Sequence, residues 1–127
     1  LIVLSDGNRA VETTGYLDTG NCLREPGSGR GVQIVTERIW NVFAGPEKEK
    51  VMIPFYTVGN PNGEMEGIRI ESMEICRTGI TGSIKIREPW IAKAPYRITR
   101  DGSYEVLLYG ETTMDGDDRE GGITSGD

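Results

Sequence analysis

At 127 residues the chain is long enough to bury one hydrophobic core and is read as a single domain. Fourteen basic residues against twenty acidic ones leave a net charge of −6, which argues against nucleic acid as a partner, because phosphate binding needs a basic footprint. The absence of histidine excludes a Ser-His or Cys-His nucleophile pair and a His-based zinc site within this chain.

Eighteen glycines and six prolines divide short runs of Val, Ile, Thr and Tyr, a composition that predicts mostly β structure. Residues 1–4 read as a strand, Ser5-Asp6-Gly7-Asn8 as a hairpin turn and 9–17 as the return strand. Residues 24–31 form a loop, 32–35 a strand, and 37–43 a short helix. The helix has an apolar face of Ile39, Trp40 and Phe43, read as core in preference to a dimer contact. Residues 51–58 are a strong strand, in which Pro54 implies an edge or a bulge. Gly59-Asn60-Pro61-Asn62-Gly63 reads as a turn, and the chain returns through about 64–70. Ile68 and Ile70 alternate, but Met73 and Ile75 resume on the opposite parity, which predicts a bulge near Ser72. Further strands are expected at 83–87, 90–92 and 96–99, then a turn at 100–103 and a last strong strand over 104–109.

The domain is placed at 1–110, followed by an acidic, Gly-rich tail at 111–127 whose low apolar content predicts disorder. Asp115, Asp117 and Asp118 have the spacing of a calcium loop without its later ligands, so neither a metal nor a cofactor is expected. Cys22 and Cys76 form no CxxC pair; two reduced thiols are preferred to one disulfide, and Cys22 is read as a packing residue. The longest apolar runs fall far short of a membrane span. A start at Leu1 without a signal-peptide pattern reads as an excised, soluble domain of a longer protein.

The chemistry concentrates in Gly15-Tyr16-Leu17-Asp18-Thr19-Gly20-Asn21-Cys22-Leu23, where a β-prone run leads into Asp-Thr-Gly and then turns. Asp18 offers a carboxylate at a strand end, Thr19 a hydroxyl on a stiff β-branched side chain, and Gly20 a backbone that bends without a Cβ. The tripeptide alone is common, and a plain turn would explain it. The longer stretch Leu17-Asp18-Thr19-Gly20-Asn21-Cys22-Leu23-Arg24-Glu25-Pro26 resembles the nucleophile-water segment of the sporulation sigma-E factor-processing peptidases, a membrane-tethered aspartic peptidase family of endospore-forming bacteria. Ile53-Pro54-Phe55-Tyr56-Thr57-Val58-Gly59, the following Gly63-Glu64-Met65-Glu66-Gly67-Ile68-Arg69, and Tyr104-Glu105-Val106-Leu107-Leu108 resemble later segments of that family.

The resemblance implies a mainly β fold: a single half-barrel lobe of the retroviral or pepsin-like aspartic peptidase type, with one or two short helices at most. Asp18 is then the catalytic residue, and Thr19, Gly20 and Asn21 support its loop. Thr19 would link two loops beneath the carboxylates, and the Asn21 amide would bond the outer oxygen of Asp18, with a plain turn-stabilising Asn as the alternative. Tyr56, Gly59, Asn60 and Gly63 are candidates for a flap or substrate cleft, with an ordinary surface hairpin or a core strand as the alternatives. Leu108, Tyr109 and Gly110 are candidates for the apolar pair and glycine that pack beside the catalytic loop. The retroviral pattern would continue as a helix, but Glu111-Thr112-Thr113-Met114-Asp115-Gly116 allows at most one turn.

One Asp-Thr-Gly per chain implies a homodimer, in which two Asp18 carboxylates share a proton and activate water. The expected substrate is a sporulation sigma-factor precursor and the expected regulator an activating signalling protein. The intact protein is expected at the cytoplasmic side of the cell membrane, held there by an upstream region. Another retroviral-like peptidase, or a non-catalytic β domain that mediates association, remain the alternatives.

Overall fold

The computed structural model describes residues 1–57, 60–112 and 123–124. It is mainly β with one short helix, as the sequence predicts. The strands form two sheets, both open, with no barrel closure among the described residues. β1 (Ile2–Asp6) and β2 (Arg9–Thr13) make the first hairpin, and β7 (Ser72–Ile75) and β8 (Ile84–Arg87) extend it into an antiparallel sheet. A two-residue strand, Ile123–Thr124, pairs with β8 at one margin of that sheet. Most of the acidic tail lies outside the described residues.

The second sheet has six strands and carries the Asp-Thr-Gly loop. They are β3 (Gly15–Leu17), β4 (Val32–Val35), β5 (Val51–Thr57), β6 (Asn60–Arg69), β9 (Trp90–Lys93) and β10 (Val106–Leu108), in the order β3-β10-β4-β9-β6-β5. β10 runs parallel to β3 and antiparallel to β4, and β4 runs parallel to β9. Every residue of β4 is buried, as a central strand covered on both faces requires. Pro54 sits on β5, the edge strand, where its missing N–H breaks no ladder.

Alternation along these strands fills two apolar clusters. Ile2, Leu4, Met73, Ile75, Ile84 and Ile86 of the first sheet meet Val35, Ile68, Ile91, Val106 and Leu108 of the second. α1 (Glu37–Phe43) closes this cluster with Ile39, Trp40 and Phe43, all buried, so its apolar face is core. The opposite face of the six-stranded sheet carries Val32, Ile34, Ile53, Met65 and Ala92.

Several expected elements differ. The return strand read over 9–17 is two strands in different sheets, and the chain changes sheet at Thr14. The parity change near Ser72 is likewise a change of sheet, between β6 and β7, rather than a bulge. Residues 96–99 form no strand, because the Ala94 N–H closes onto Val35 O at 2.9 Å and Pro95 has no N–H to continue the ladder. β6 begins at Asn60, paired with Thr57, so 60–63 belong to a strand and not to a turn. Among the described residues no helix is long and apolar enough to cross a membrane.

Candidate active site

β3 is three residues long and, among the described residues, has only β10 beside it, and the chain leaves the sheet edge immediately after Leu17. Asp18 stands at that exit, half-buried, with Thr19 and Gly20 exposed beyond it. The loop is held by backbone bonds and by the side chains of Asp18 and Asn21. Asp18 N–H donates to Leu108 O at 3.4 Å, Asn21 N–H to Asp18 O at 2.8 Å, and Gly110 N–H to Asn21 O at 2.8 Å. Gly20 N–H donates to the Asp18 carboxylate Oδ1 at 2.9 Å and fixes its direction.

Asn21 is the anchor beneath the turn. Only 5% exposed, it donates from Nδ2 to Val32 O at 2.9 Å and to Leu107 O at 3.3 Å, and its Oδ1 accepts from Leu23 N–H at 3.1 Å. The amide therefore points into the fold and is fully engaged there. The expectation that it bonds the outer oxygen of Asp18 is corrected: a buried amide must satisfy its own donors first, and these backbone carbonyls are within reach.

The late segment packs against the same loop. A Cβ placed on Gly110 would lie 2.9 Å from Asp18 O, Thr19 Cα and Thr19 O, so only glycine fits between the two backbones. Leu108 is buried in the core behind the loop, and Tyr109 is buried next to it. Sequence reasoning missed Gln33, a buried amide 3% exposed whose Oε1 accepts from Tyr109 N–H at 2.6 Å. It also missed Gly31, over which the Tyr109 ring lies so closely that a Cβ would clash with it. A lone amide inside the apolar run Val32-Gln33-Ile34-Val35 was the available signal for Gln33.

Seven of the expected residues thus converge: Asp18, Thr19, Gly20, Asn21, Leu108, Tyr109 and Gly110. The proposed flap residues lie elsewhere. Gly63 is on β6, four strand spacings or about 19 Å across the sheet from β3, and lies under the Phe55 ring. Tyr56 and Asn60 are placed on β5 and β6 by their backbone, and Gly59 lies outside the described residues. Only 67–69 of β6 pair with β9, so 60–66 continue past it, paired with β5 as a two-stranded ribbon. Cys22 is exposed, Cys76 is half-buried, and both are free.

Next to the loop, Tyr16 is 55% exposed and stacks on Tyr104, with ring centroids 5.3 Å apart. Glu105 follows, accepting from Arg38 Nε and Nη2 at 2.6 Å each, and from Thr13 and Thr36. The Arg38 bonds dominate and hold the Glu105 carboxyl at about 2, against an ordinary 4.5.

A family model described as sporulation factor SpoIIGA, peptidase family U4, matches residues 2–111. Neither the curated proteins nor the solved structures provide a match.

Proposed function

Because the chain belongs to the family of the sporulation factor SpoIIGA, a peptidase family, we propose that it is an aspartic endopeptidase whose active form pairs two Asp18 loops across a twofold axis. The observation that carries this reading is the loop itself. Asp18 is aimed by the Gly20 N–H and backed by Gly110, while Thr19 and Gly20 are exposed and await a partner surface. One carboxylate is half of a catalytic apparatus, and a twofold axis supplies the other half from the same patch.

Two carboxylates in contact share one proton. The ionised one takes a proton from a bound water as the water oxygen attacks the peptide carbonyl, and the protonated one donates to the carbonyl oxygen. The tetrahedral diol then collapses: the C–N bond breaks, the nitrogen takes a proton from the dyad, and acid and amine products leave with no covalent intermediate. Thr19, at the exposed rim, links the two loops beneath the dyad. The substrate is a sporulation sigma-factor precursor, the enzyme is held at the cytoplasmic face of the membrane by a region upstream of residue 1, and a signalling protein activates it.

Co-expression of the intact protein with the precursor tests this reading. The wild type yields a shortened product, and Asp18→Asn abolishes it, because an amide cannot take the proton from water. Processing by the Asn variant at the wild-type rate would remove Asp18 from the mechanism.

A further inference from the structure

Continuing along the sheet edge from Asp18, the next exposed feature is the Tyr16–Tyr104 stack. Tyr16, on β3, lies two residues before Asp18. Tyr104 in turn lines a pocket of about 230 Å³ with Arg97, Ile98, Arg100 and Glu105. The tyrosine pair therefore connects β3, which leads into Asp18, with a pocket lined by two arginines.

The acidic groups near that pocket are already engaged. Glu105 is held by Arg38, Thr13 and Thr36. Asp101 Oδ1 accepts from Thr99 Oγ1 and from Ser103 N–H, each at 3.0 Å, and is folded into its own turn. Among the described residues neither Arg97 nor Arg100 has a carboxylate partner; Arg97 Nη1 donates to the carbonyl oxygen of Arg100 at 3.4 Å. Two arginines that line one concavity without a carboxylate partner among the described residues stand out in a chain of net charge −6. A guanidinium fork binds a carboxylate through two parallel, charge-assisted hydrogen bonds, and the tyrosine faces offer contact for the stem that carries it.

We propose that this pocket is a substrate subsite for an Asp or Glu side chain, with Arg97 and Arg100 as specificity-determining residues and the Tyr16–Tyr104 stack as its wall toward Asp18. The inference rests on the peptidase reading above. Tyr16 lies two residues from Asp18, and Tyr104 one ring stack further, which places the pocket on the order of 12 Å from the carboxylate. An extended peptide covers that span in about three to four residues. A twofold pair of chains presents one such pocket on each side of the scissile bond, so acidic residues are favoured on both flanks at that distance.

A library of unmodified peptides, incubated with the intact protein and analysed by mass spectrometry, tests the proposal. Asp or Glu should be enriched about three or four residues from the cut. For a matched pair of peptides with Glu or Gln at that position, the wild type should favour Glu in kcat/KM by about tenfold, mostly through KM. Arg97→Ala with Arg100→Ala should bring that ratio to about one, and Arg97→Glu with Arg100→Glu should reverse it in favour of Lys. Because each ratio is internal to one variant, partial loss of folded protein leaves it unchanged. Cleavage that is lost in Asp18→Asn but shows no acidic preference overturns the subsite and leaves the peptidase reading standing. Absence of any cleavage overturns both.

Discussion

Gly110 is the residue on which the geometry of the Asp18 loop depends most directly. The atoms that a Cβ would meet at 2.9 Å are all backbone, so no rotamer change can make room. Gly110→Ala must displace either the loop or the segment after β10. We expect a loss of about 1–3 kcal/mol in stability, read by thermal melting. Processing should fall further, by about a hundredfold, since a misplacement of roughly 1 Å at a reacting group has that effect. Glu105 makes a different prediction. Its carboxyl lies below its ordinary value when folded, so its stabilising effect is complete above about pH 4.5 and is lost as pH falls towards 2. Arg38 is largely exposed, so solvent screening limits the contribution to about 1 kcal/mol. Glu105→Gln should cost that amount at pH 7 and flatten the acid limb of the stability profile, as measured by urea unfolding at stepped pH. These roles differ in how legible they were. Asp18 and Gly110 are readable because their chemistry is local: a carboxylate at a strand end, and a glycine where backbones approach. The direction of the Asn21 amide was not readable, because its partners, Val32 O and Leu107 O, come from strands distant in sequence.

The same distinction explains the elements. Strand positions follow from alternation, and α1 from its apolar face, so both were legible. Sheet membership was not, because a strand that passes from one sheet to another keeps its alternation or shifts it by one. The chain makes such passages at Thr14, at 70–71 and at 88–89, and the last two are tied together: Ile70 N–H donates to Pro89 O at 3.1 Å and Glu88 N–H to Glu71 O at 2.9 Å. Glu88 turns the corner at φ 51°, a left-handed conformation that disfavours side chains with a Cβ. Its carboxylate is 3.5 Å from Arg69 in an exposed pair of little worth. Glu88→Gly should therefore stabilise the fold by about 0.5–1 kcal/mol, seen as a higher denaturation midpoint. A lower midpoint would mean that the Arg69 contact outweighs the backbone strain. Gln33 belongs to this scale too. By accepting from Tyr109 N–H in place of a main-chain carbonyl, its side chain ends the β10–β4 ladder and releases Gly110 towards the loop.

For the molecule as a whole, the proposed pairing of two Asp18 loops requires association, yet each copy carries a net charge of −6. Two such copies repel, and salt screens that repulsion within about 8–10 Å at ordinary ionic strength. The isolated domain is therefore expected to dimerise weakly, and more readily as protein or salt concentration rises, which sedimentation equilibrium would report. Confinement to a membrane raises the effective concentration of the second chain and makes a poor interface sufficient. A tight, fully active dimer at nanomolar concentration and low salt would exclude regulation through association. The parallel pairing of β3 with β10 has a further consequence, in the timing of synthesis. Asp18 and Asn21 are held by Leu107, Leu108 and Gly110, some ninety residues later in the chain. Contacts that distant form only after the intervening chain has been made and has closed on itself. During translation the Asp-Thr-Gly segment emerges some ninety residues before β10, and until then it has no strand beside it and no glycine behind it. On the proposed aspartic peptidase reading, a chain cut short before Gly110 is expected to be inactive, so incomplete copies would carry no proteolytic activity.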